Sequence, residues 1–171
     1  MSSEIEEFKI SRTFDAPREL VWKLHTECEH LKNWWGPKGF VMNHCKMDLQ
    51  PGGMFHYGMH PANNESMVMW GRFVFLEVER PEKLVYVVSF SDENAGITRH
   101  PMSSTWPLEV LNTTEFTEEE GRTKVTISGQ PINATDEEIS TFDTGRNSMR
   151  QGFAGTYHHF EEYLASVRQS M

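Results

Sequence analysis

Hydrophobic and polar positions alternate along most of the first 130 residues, a pattern typical of half-buried β-strands. The first strand is predicted over Glu4–Phe14, with Ile5, Phe8 and Ile10 among its apolar members. Further strands are predicted at residues 40–49, 54–59, 67–79, 84–90, 106–116 and 123–130. Short turns rich in Gly, Pro and Asn separate several of these strands, which favours one antiparallel sheet.

Three segments show helical signals instead. Asp15-Ala16-Pro17 predicts the start of a first helix with Asp15 as its cap, and residues 27–33 predict a second, short helix. From Thr135 to Gln169, apolar residues recur at intervals of three and four, as in a long amphipathic helix. Thr135 and Glu138 have the capping-box spacing that predicts where this helix begins.

Three glycines interrupt the long helical pattern. Gly145, Gly152 and Gly155 each weaken a helix relative to alanine. They predict either a close approach of the helix to the sheet or a break near Thr144-Gly145.

Together these elements predict an α+β fold in one domain spanning residues 1–171. A curved antiparallel sheet of about seven strands would wrap around the long C-terminal helix. This shape encloses an apolar cavity, so the pattern indicates a protein that holds a small hydrophobic molecule.

Five motifs resemble a known family. They are, in order, Phe14-Asp15-Ala16-Pro17, Trp34-Trp35-Gly36-Pro37, Pro51-Gly52-Gly53-Met54-Phe55, Gly71 and Pro81-Glu82-Lys83-Leu84. The chain resembles the activator-of-Hsp90-ATPase-like branch of the SRPBCC superfamily. This superfamily is also called START-like, and it includes the birch-pollen-allergen fold. The resemblance implies a helix-grip fold whose cavity lies between the long helix and the concave face of the sheet.

Two features depart from the family pattern. Gly152-Phe153 stands where family members often have Gly-Trp, although the aromatic character is kept. The loop from Asp92 to Ser104 is longer than usual. The family's cavity mouth lies near that loop, so the resemblance says less about the ligand than about the fold.

Net charge narrows the range of partners. The chain carries a formal charge of −9, which argues against nucleic acid and against an anionic membrane surface. No segment approaches the length of a membrane span, and no secretion leader is recognised at Met1. We therefore expect a cytoplasmic protein in which Cys28 and Cys45 are reduced thiols.

Strand alternation and the helical stripe predict the lining of the cavity. If Glu77 and Glu79 face water, the two-residue alternation of a strand places every second residue from Trp70 to Val78 on the inner face. The predicted ligand-binding residues are Trp34, Trp35, Met54, His56, Trp70, Arg72, Val74, Trp106, Asn112, Met149, Phe153 and Tyr157.

Arg72 and Asn112 are the polar groups predicted to face the ligand. An inward Arg72 suits a carboxylate or phosphate, although pairing with a nearby Glu is the commoner role of such a residue. Met54 belongs to a cluster of methionines that fits an adaptable pocket wall or an irregular core equally well.

Catalytic and metal-binding motifs are absent from the sequence. The eight histidines show no spacing that brings four ligands together, so no metal ion and no cofactor is expected. His56 is a candidate general base, but a lone inward histidine is more often structural.

The same alternation places Phe73, Phe75, Tyr86 and Val88 on the opposite, outer face of the sheet. Such an exposed apolar patch predicts a homodimer through this face.

Three functions remain open. The leading hypothesis is a non-enzymatic protein that binds a small hydrophobic molecule, lipid-like or polycyclic. The alternative is a cyclase- or dehydratase-like enzyme, in which His56, Arg72 and Tyr157 would converge in the cavity. The third is a chaperone-ATPase-associated interaction domain.

Overall fold

A curved sheet of eight antiparallel strands surrounds the long C-terminal helix in the computed structural model, which describes residues 7–170. The predicted strand residues Glu4–Glu6 lie outside the described part of the chain. The strands are β1 (Phe8–Phe14), β2 (Phe40–Met47), β3 (Met54–Pro61), β4 (Met69–Glu79), β5 (Lys83–Ser91), β6 (Ile97–Thr98), β7 (Val110–Glu119) and β8 (Arg122–Pro131). The helices are α1 (Arg18–Thr26), α2 (Cys28–Leu31), α3 (Asp136–Thr144) and α4 (Arg146–Gln169).

Hairpins account for most of the sheet. The strand order is β1-β8-β7-β5-β4-β3-β2, and the short β6 pairs with β5 beyond the end of β7. The first strand pairs with the last, from Phe8 opposite Gly129 to Phe14 opposite Thr123. The predicted architecture, an antiparallel sheet with a long C-terminal helix, is therefore confirmed.

Local signals at the helix ends are only partly confirmed. Thr135 and Glu138 form the predicted capping box at the start of α3, with hydrogen bonds of 2.9 and 3.1 Å. The predicted cap at Asp15 is wrong, because α1 begins after Pro17 and has no side-chain cap of its own. Instead, the Arg18 backbone N–H donates to a Glu118 carboxylate oxygen at 2.6 Å. This places a negative charge at the positive end of the helix dipole, where it is stabilising.

The glycines of the C-terminal segment have different roles. Gly145 ends α3 and separates it from α4, which confirms the predicted break. A Cβ at Gly145 would lie 3.2 Å from the Trp106 ring. A Cβ at Gly152 or Gly155 would have no neighbour within 4 Å, so neither glycine is required for close packing against the sheet.

The core lies under the C-terminal half of α4. Phe160 is fully buried, with its ring centroid 4.7 Å from that of Trp34 and 4.8 Å from those of Phe14 and His25. Leu164 and Trp22 extend the same cluster. Toward the N-terminal half of α4, the side chains no longer fill the space above the sheet, and a cavity opens.

A bulge in β4 determines which side chains face that cavity. The pairing with β5 shifts between Phe75 and Glu77, so one residue is added to the alternation at Leu76. Beyond the bulge Val78 faces inward as predicted. Before it the two faces are exchanged, so Phe73 and Phe75 face the concave side.

The cysteines correct a second prediction. Cys28 of α2 and Cys45 of β2 form a disulfide across a Cα–Cα distance of 5.8 Å, so the expectation of reduced thiols is wrong. The bond links α2 to the edge of the sheet, next to the Trp34–Pro37 segment. Reduced cysteines were one reason to expect a cytoplasmic location. Without that reason, the location stays a prediction. None of the helices within residues 7–170 is long and apolar enough to cross a membrane.

Candidate functional site

A cavity, here called the inner cavity, lies between the concave face of the sheet and α4. Its volume is about 430 Å³, within the usual range of small-molecule sites. Aromatic and aliphatic side chains form most of the wall. Its lining includes His25, Leu31, Trp34, Trp35, Met47, Phe55, Tyr57, Met59, Phe73, Phe75, Leu84, Tyr86, Val88, Phe90, Asn112, Thr114, Ile127, Met149, Phe153, Thr156 and Tyr157.

Three further spaces adjoin the inner cavity, and the smallest of them, about 160 Å³ beside β1, shares Ile127, Phe153 and Tyr157 with it. A side cavity of about 210 Å³ shares Asn112, Met149 and Phe153 with it and extends toward Trp106. An outer groove of about 880 Å³ lies along α3 and the start of α4, where Ser140, Thr141, Thr144 and Ser148 supply hydroxyl groups. The residues that border both the inner cavity and the outer groove are Pro37, Phe90, Met149 and Gly152. The outer groove and the inner cavity are therefore neighbouring spaces.

A histidine and a tyrosine form the main polar pair in the wall. His25 Nδ1 lies 2.7 Å from the Val21 carbonyl oxygen, and His25 Nε2 lies 3.1 Å from the Tyr157 hydroxyl. Burial lowers the pKa of His25 to about 4, so the ring is neutral at pH 7. Burial also raises the pKa of Tyr157 well above its usual value. Both groups are therefore uncharged under ordinary conditions.

The remaining polar groups are also paired or uncharged. The Tyr86 hydroxyl lies 2.7 Å from Thr114 Oγ1, on the neighbouring strand β7. Burial raises the pKa of Tyr86, and it raises that of Tyr57 to about 12. The Trp34 indole N–H donates to the Leu24 carbonyl at 2.9 Å and is therefore paired within the protein. The cavity is thus an apolar space with a small number of fixed hydrogen-bonding groups.

Seven of the predicted binding residues line these spaces. Trp34, Trp35, Asn112, Met149, Phe153 and Tyr157 border the inner cavity. Trp106 borders the side cavity and the outer groove. Their contact with a ligand stays a prediction.

The other five predicted residues lie on the convex face, so their predicted orientation is wrong. They are Met54, His56, Trp70, Arg72 and Val74. On β4 the error arises because the alternation was counted back from Glu77 through the bulge. On β3, His56 lies opposite Arg72 and Met54 lies opposite Val74. Residues directly opposite each other in paired strands face the same side of the sheet, so the two β3 residues are also on the convex face.

On the convex face, His56 and Arg72 anchor a loop. His56 Nε2 donates to the Asp92 carbonyl at 2.9 Å, and the Arg72 guanidinium donates to the Ala95 carbonyl at 2.7 Å. The His56 ring stacks on Trp70, with centroids 5.1 Å apart. Because the sheet separates His56 and Arg72 from Tyr157, the catalytic set predicted for an enzyme does not come together.

The patch predicted for a homodimer is interior. Phe75 and Tyr86 are buried, and Phe73 and Val88 pack against the core and line the inner cavity. These residues cannot form an exposed contact surface, so the prediction of a dimer through this face is wrong. The cause is again that the inward-facing and outward-facing positions of the strands were exchanged.

Several cavity residues were missed by the sequence analysis. His25 lies four residues after Val21 and therefore on the same helix face, so the helical period could have identified it. Tyr57 and Phe55 could have been found only if the alternate positions of β3 had been assigned to the correct faces of the sheet. Tyr86 was identified but assigned to the opposite face.

Potential metal ligands meet at a single place within the described residues. The ligand atoms of Glu27, Glu29 and His30 lie within 4.8 Å of one another at the start of α2. Two of the three are carboxylates, of which Glu29 is exposed and Glu27 is half-buried, an arrangement common on protein surfaces. His30 Nδ1 also lies 2.6 Å from the Tyr163 hydroxyl. This cluster lies outside the cavity and gives no basis for a metal-dependent function.

The sequence matches one family. Residues 15–165 match the family described as activator of Hsp90 ATPase homolog 1-like protein. No functionally curated protein matches the sequence significantly.

Solved structures share the fold at low sequence identity. A protein from Rhodobacter sphaeroides is 18% identical, with a TM-score of 0.76 and coverage of 98% of this chain and 97% of that one. Protein Ms6760 from Mycobacterium smegmatis is 23% identical, with a TM-score of 0.73 and coverage of 92% and 90%. The AHSA1 protein from Silicibacter pomeroyi is 13% identical, with a TM-score of 0.71 and coverage of 95% and 99%. At these identities the likeness shows the fold.

Proposed function

Since the chain belongs to the activator of Hsp90 ATPase homolog 1-like family, whose START-like fold is compatible with ligand binding, we propose that it binds a small hydrophobic molecule in the inner cavity. The observation that carries this proposal is the unfilled volume of about 430 Å³ beneath α4. Interiors are normally packed to crystal density, so an unfilled apolar space of this size between sheet and helix supports a ligand site.

The wall indicates the kind of molecule. Aromatic rings dominate it, including Trp34, Trp35, Phe73, Phe153 and Tyr157. Flat rings offer broad apolar contact and favour stacked or edge-on partners. A polycyclic or aromatic ligand fits this wall better than a long flexible chain, whose ordering would cost more conformational entropy.

The polar pair supports binding rather than proton transfer. A general base or acid works best when its pKa lies near the operating pH. Burial moves the pKa of His25 down to about 4 and that of Tyr157 well above its usual value. Both shifts lead away from pH 7, so the pair suits ligand orientation.

Gly152 offers a direct test, because it borders both the inner cavity and the outer groove. Gly152→Phe adds a ring where the two spaces meet without a backbone clash, since a Cβ there has no neighbour within 4 Å. We expect this variant to bind the neutral dye N-phenyl-1-naphthylamine about tenfold more weakly and more slowly than the native protein. Fluorescence titration and stopped-flow mixing measure both effects.

Gly155→Phe is the matched control. Gly155 also lies on α4 with no neighbour near its Cβ position, and it borders none of the cavities described above. Both substitutions change helix propensity by the same amount, so thermal unfolding should shift equally. The dye should bind Gly155→Phe as it binds the native protein. Failure of the native protein to bind the dye, or equal binding by both variants, would contradict the proposed site.

A further inference from the structure

We propose that the ligand of the inner cavity is an uncharged molecule that donates one hydrogen bond to the Tyr157 oxygen. This inference rests on the proposed function and specifies the chemical class of its ligand. It follows from two independent observations, the charges around the cavity and the direction of one hydrogen bond.

The walls contain no formal charge. Within the described part of the chain, no Lys, Arg, Asp or Glu lines the inner cavity, the side cavity or the outer groove. Two histidines, His25 and His100, border these spaces, and burial lowers the pKa of both. A carboxylate, sulfonate or ammonium group would lose its hydration there without a partner, which is strongly unfavourable.

The nearest cations border an adjoining space that shares Tyr157 with the inner cavity, and neither lines the inner cavity itself. Arg12 and Arg150 border a smaller cavity of about 160 Å³ beside β1. Arg12 is paired with Glu161 at 3.0 Å. Arg150 is exposed, with its guanidinium 5.3 Å from the centre of the Phe8 ring. Arg72, predicted from the sequence to bind an anion, lies on the convex face. An anionic group inside the inner cavity would therefore meet no positive side chain in its wall.

The hydrogen-bond direction at Tyr157 follows from simple chemistry. A carbonyl oxygen can only accept, so the hydrogen of the neutral His25 ring must lie on Nδ1, which donates to Val21. His25 Nε2 then carries a lone pair and accepts the Tyr157 O–H at 3.1 Å. The Tyr157 oxygen has used its only hydrogen, but its lone pairs remain. A ligand hydroxyl or N–H can donate to that oxygen, whereas a ligand acceptor cannot pair with it.

The charge requirement is tested with a matched pair of fluorescent molecules. N-phenyl-1-naphthylamine and 1-anilinonaphthalene-8-sulfonate share their ring system and N–H group, and differ in one sulfonate. We expect the neutral dye to bind at least about tenfold more tightly. Comparable affinity for the sulfonate would overturn the inference while leaving the proposed function intact. Failure of both dyes to bind would instead contradict the proposed function.

The donor requirement is tested with a second pair. 2-Naphthol carries a hydroxyl that 2-methoxynaphthalene lacks, and both are neutral at pH 7. In displacement of N-phenyl-1-naphthylamine, we expect 2-naphthol to bind about fivefold more tightly, as for one added hydrogen bond. Equal affinities would show that Tyr157 accepts no hydrogen bond from the ligand.

Two tyrosine variants locate the acceptor. Tyr157→Phe should reduce the preference for 2-naphthol below about twofold. Tyr163→Phe is the matched control, because Tyr163 also lies on α4 and its hydroxyl pairs with a histidine, His30, away from the inner cavity. This control should keep the preference. A preference that survives in Tyr157→Phe, or that is lost equally in both variants, would refute the assignment to Tyr157.

Discussion

Replacing Phe160 by alanine is expected to lower the free energy of unfolding by about 4 kcal/mol. The Phe160 side chain is fully buried and lies within 5 Å, centroid to centroid, of the rings of Phe14, His25 and Trp34. Truncation removes these contacts and leaves a void that the surrounding rings can fill only in part. Urea unfolding of the native protein and the variant measures the loss.

Phe153→Ala is the control on the same helix. Phe153 is half-buried and borders the inner cavity, so its ring already lacks neighbours on one side. Its truncation enlarges an existing space, and we expect a cost below about half of that for Phe160. Equal costs at the two positions would show that the space around Phe153 is as densely packed as the core, contrary to the described cavity.

The second large effect is expected on acidification. Burial lowers the pKa of His25 from 6.5 to about 4, so the unfolded chain binds a proton here that the folded protein excludes. Stability from this group is fully present above pH 6.5 and is lost as the pH falls toward 4. The difference corresponds to about 3 kcal/mol. Urea unfolding at several pH values between these limits measures it.

His25→Gln separates this effect from other titrations. Glutamine keeps hydrogen-bonding capacity but has no charge to exclude, so the variant should lose less stability than the native protein over the same pH range. Burial also lowers the pKa of His44 and His100, and their contribution is common to both proteins. Parallel pH profiles for the native protein and the variant would mean that His25 titrates normally in the folded state.

Most of the architecture could be predicted from local patterns. The capping box at Thr135 and Glu138 and the break at Gly145 depend on short-range chemistry, and both occur where the sequence indicates them. The strands are predicted by alternating hydrophobic and polar residues, and the long helix by apolar residues at intervals of three and four. These signals involve neighbours within a few residues, so they are visible without knowledge of the tertiary structure.

The faces of the central strands could not be predicted in the same way. The bulge between Phe75 and Glu77 is defined by the pairing of β4 with β5, which local alternation does not encode. One added residue reverses every earlier position on the strand. That single shift moved Arg72 out of the predicted site and placed Phe73 inside it. It also removed the basis for both the anion-binding and the homodimer predictions.

Pairing between distant residues caused the other differences. Cys28 and Cys45 are 17 residues apart, and only the packing of α2 on β2 brings them into contact. The His25 and Tyr157 pair spans 132 residues. The helical period of α1 could have indicated that His25 faces inward, but its partner on α4 depends on how the two elements pack.

The methionine methyl groups provide the most direct test of the central claim, that the space under α4 is a binding cavity. Met47, Met59 and Met149 border the inner cavity, whereas Met67 and Met102 are 60% and 90% exposed. In NMR spectra of protein labelled with ¹³C-methyl methionine, adding 2-naphthol should shift the three cavity signals through ring currents. The signals of Met67 and Met102 should stay in place. Shifts confined to Met67 or Met102, or no shift at saturating ligand, would contradict the proposed binding site.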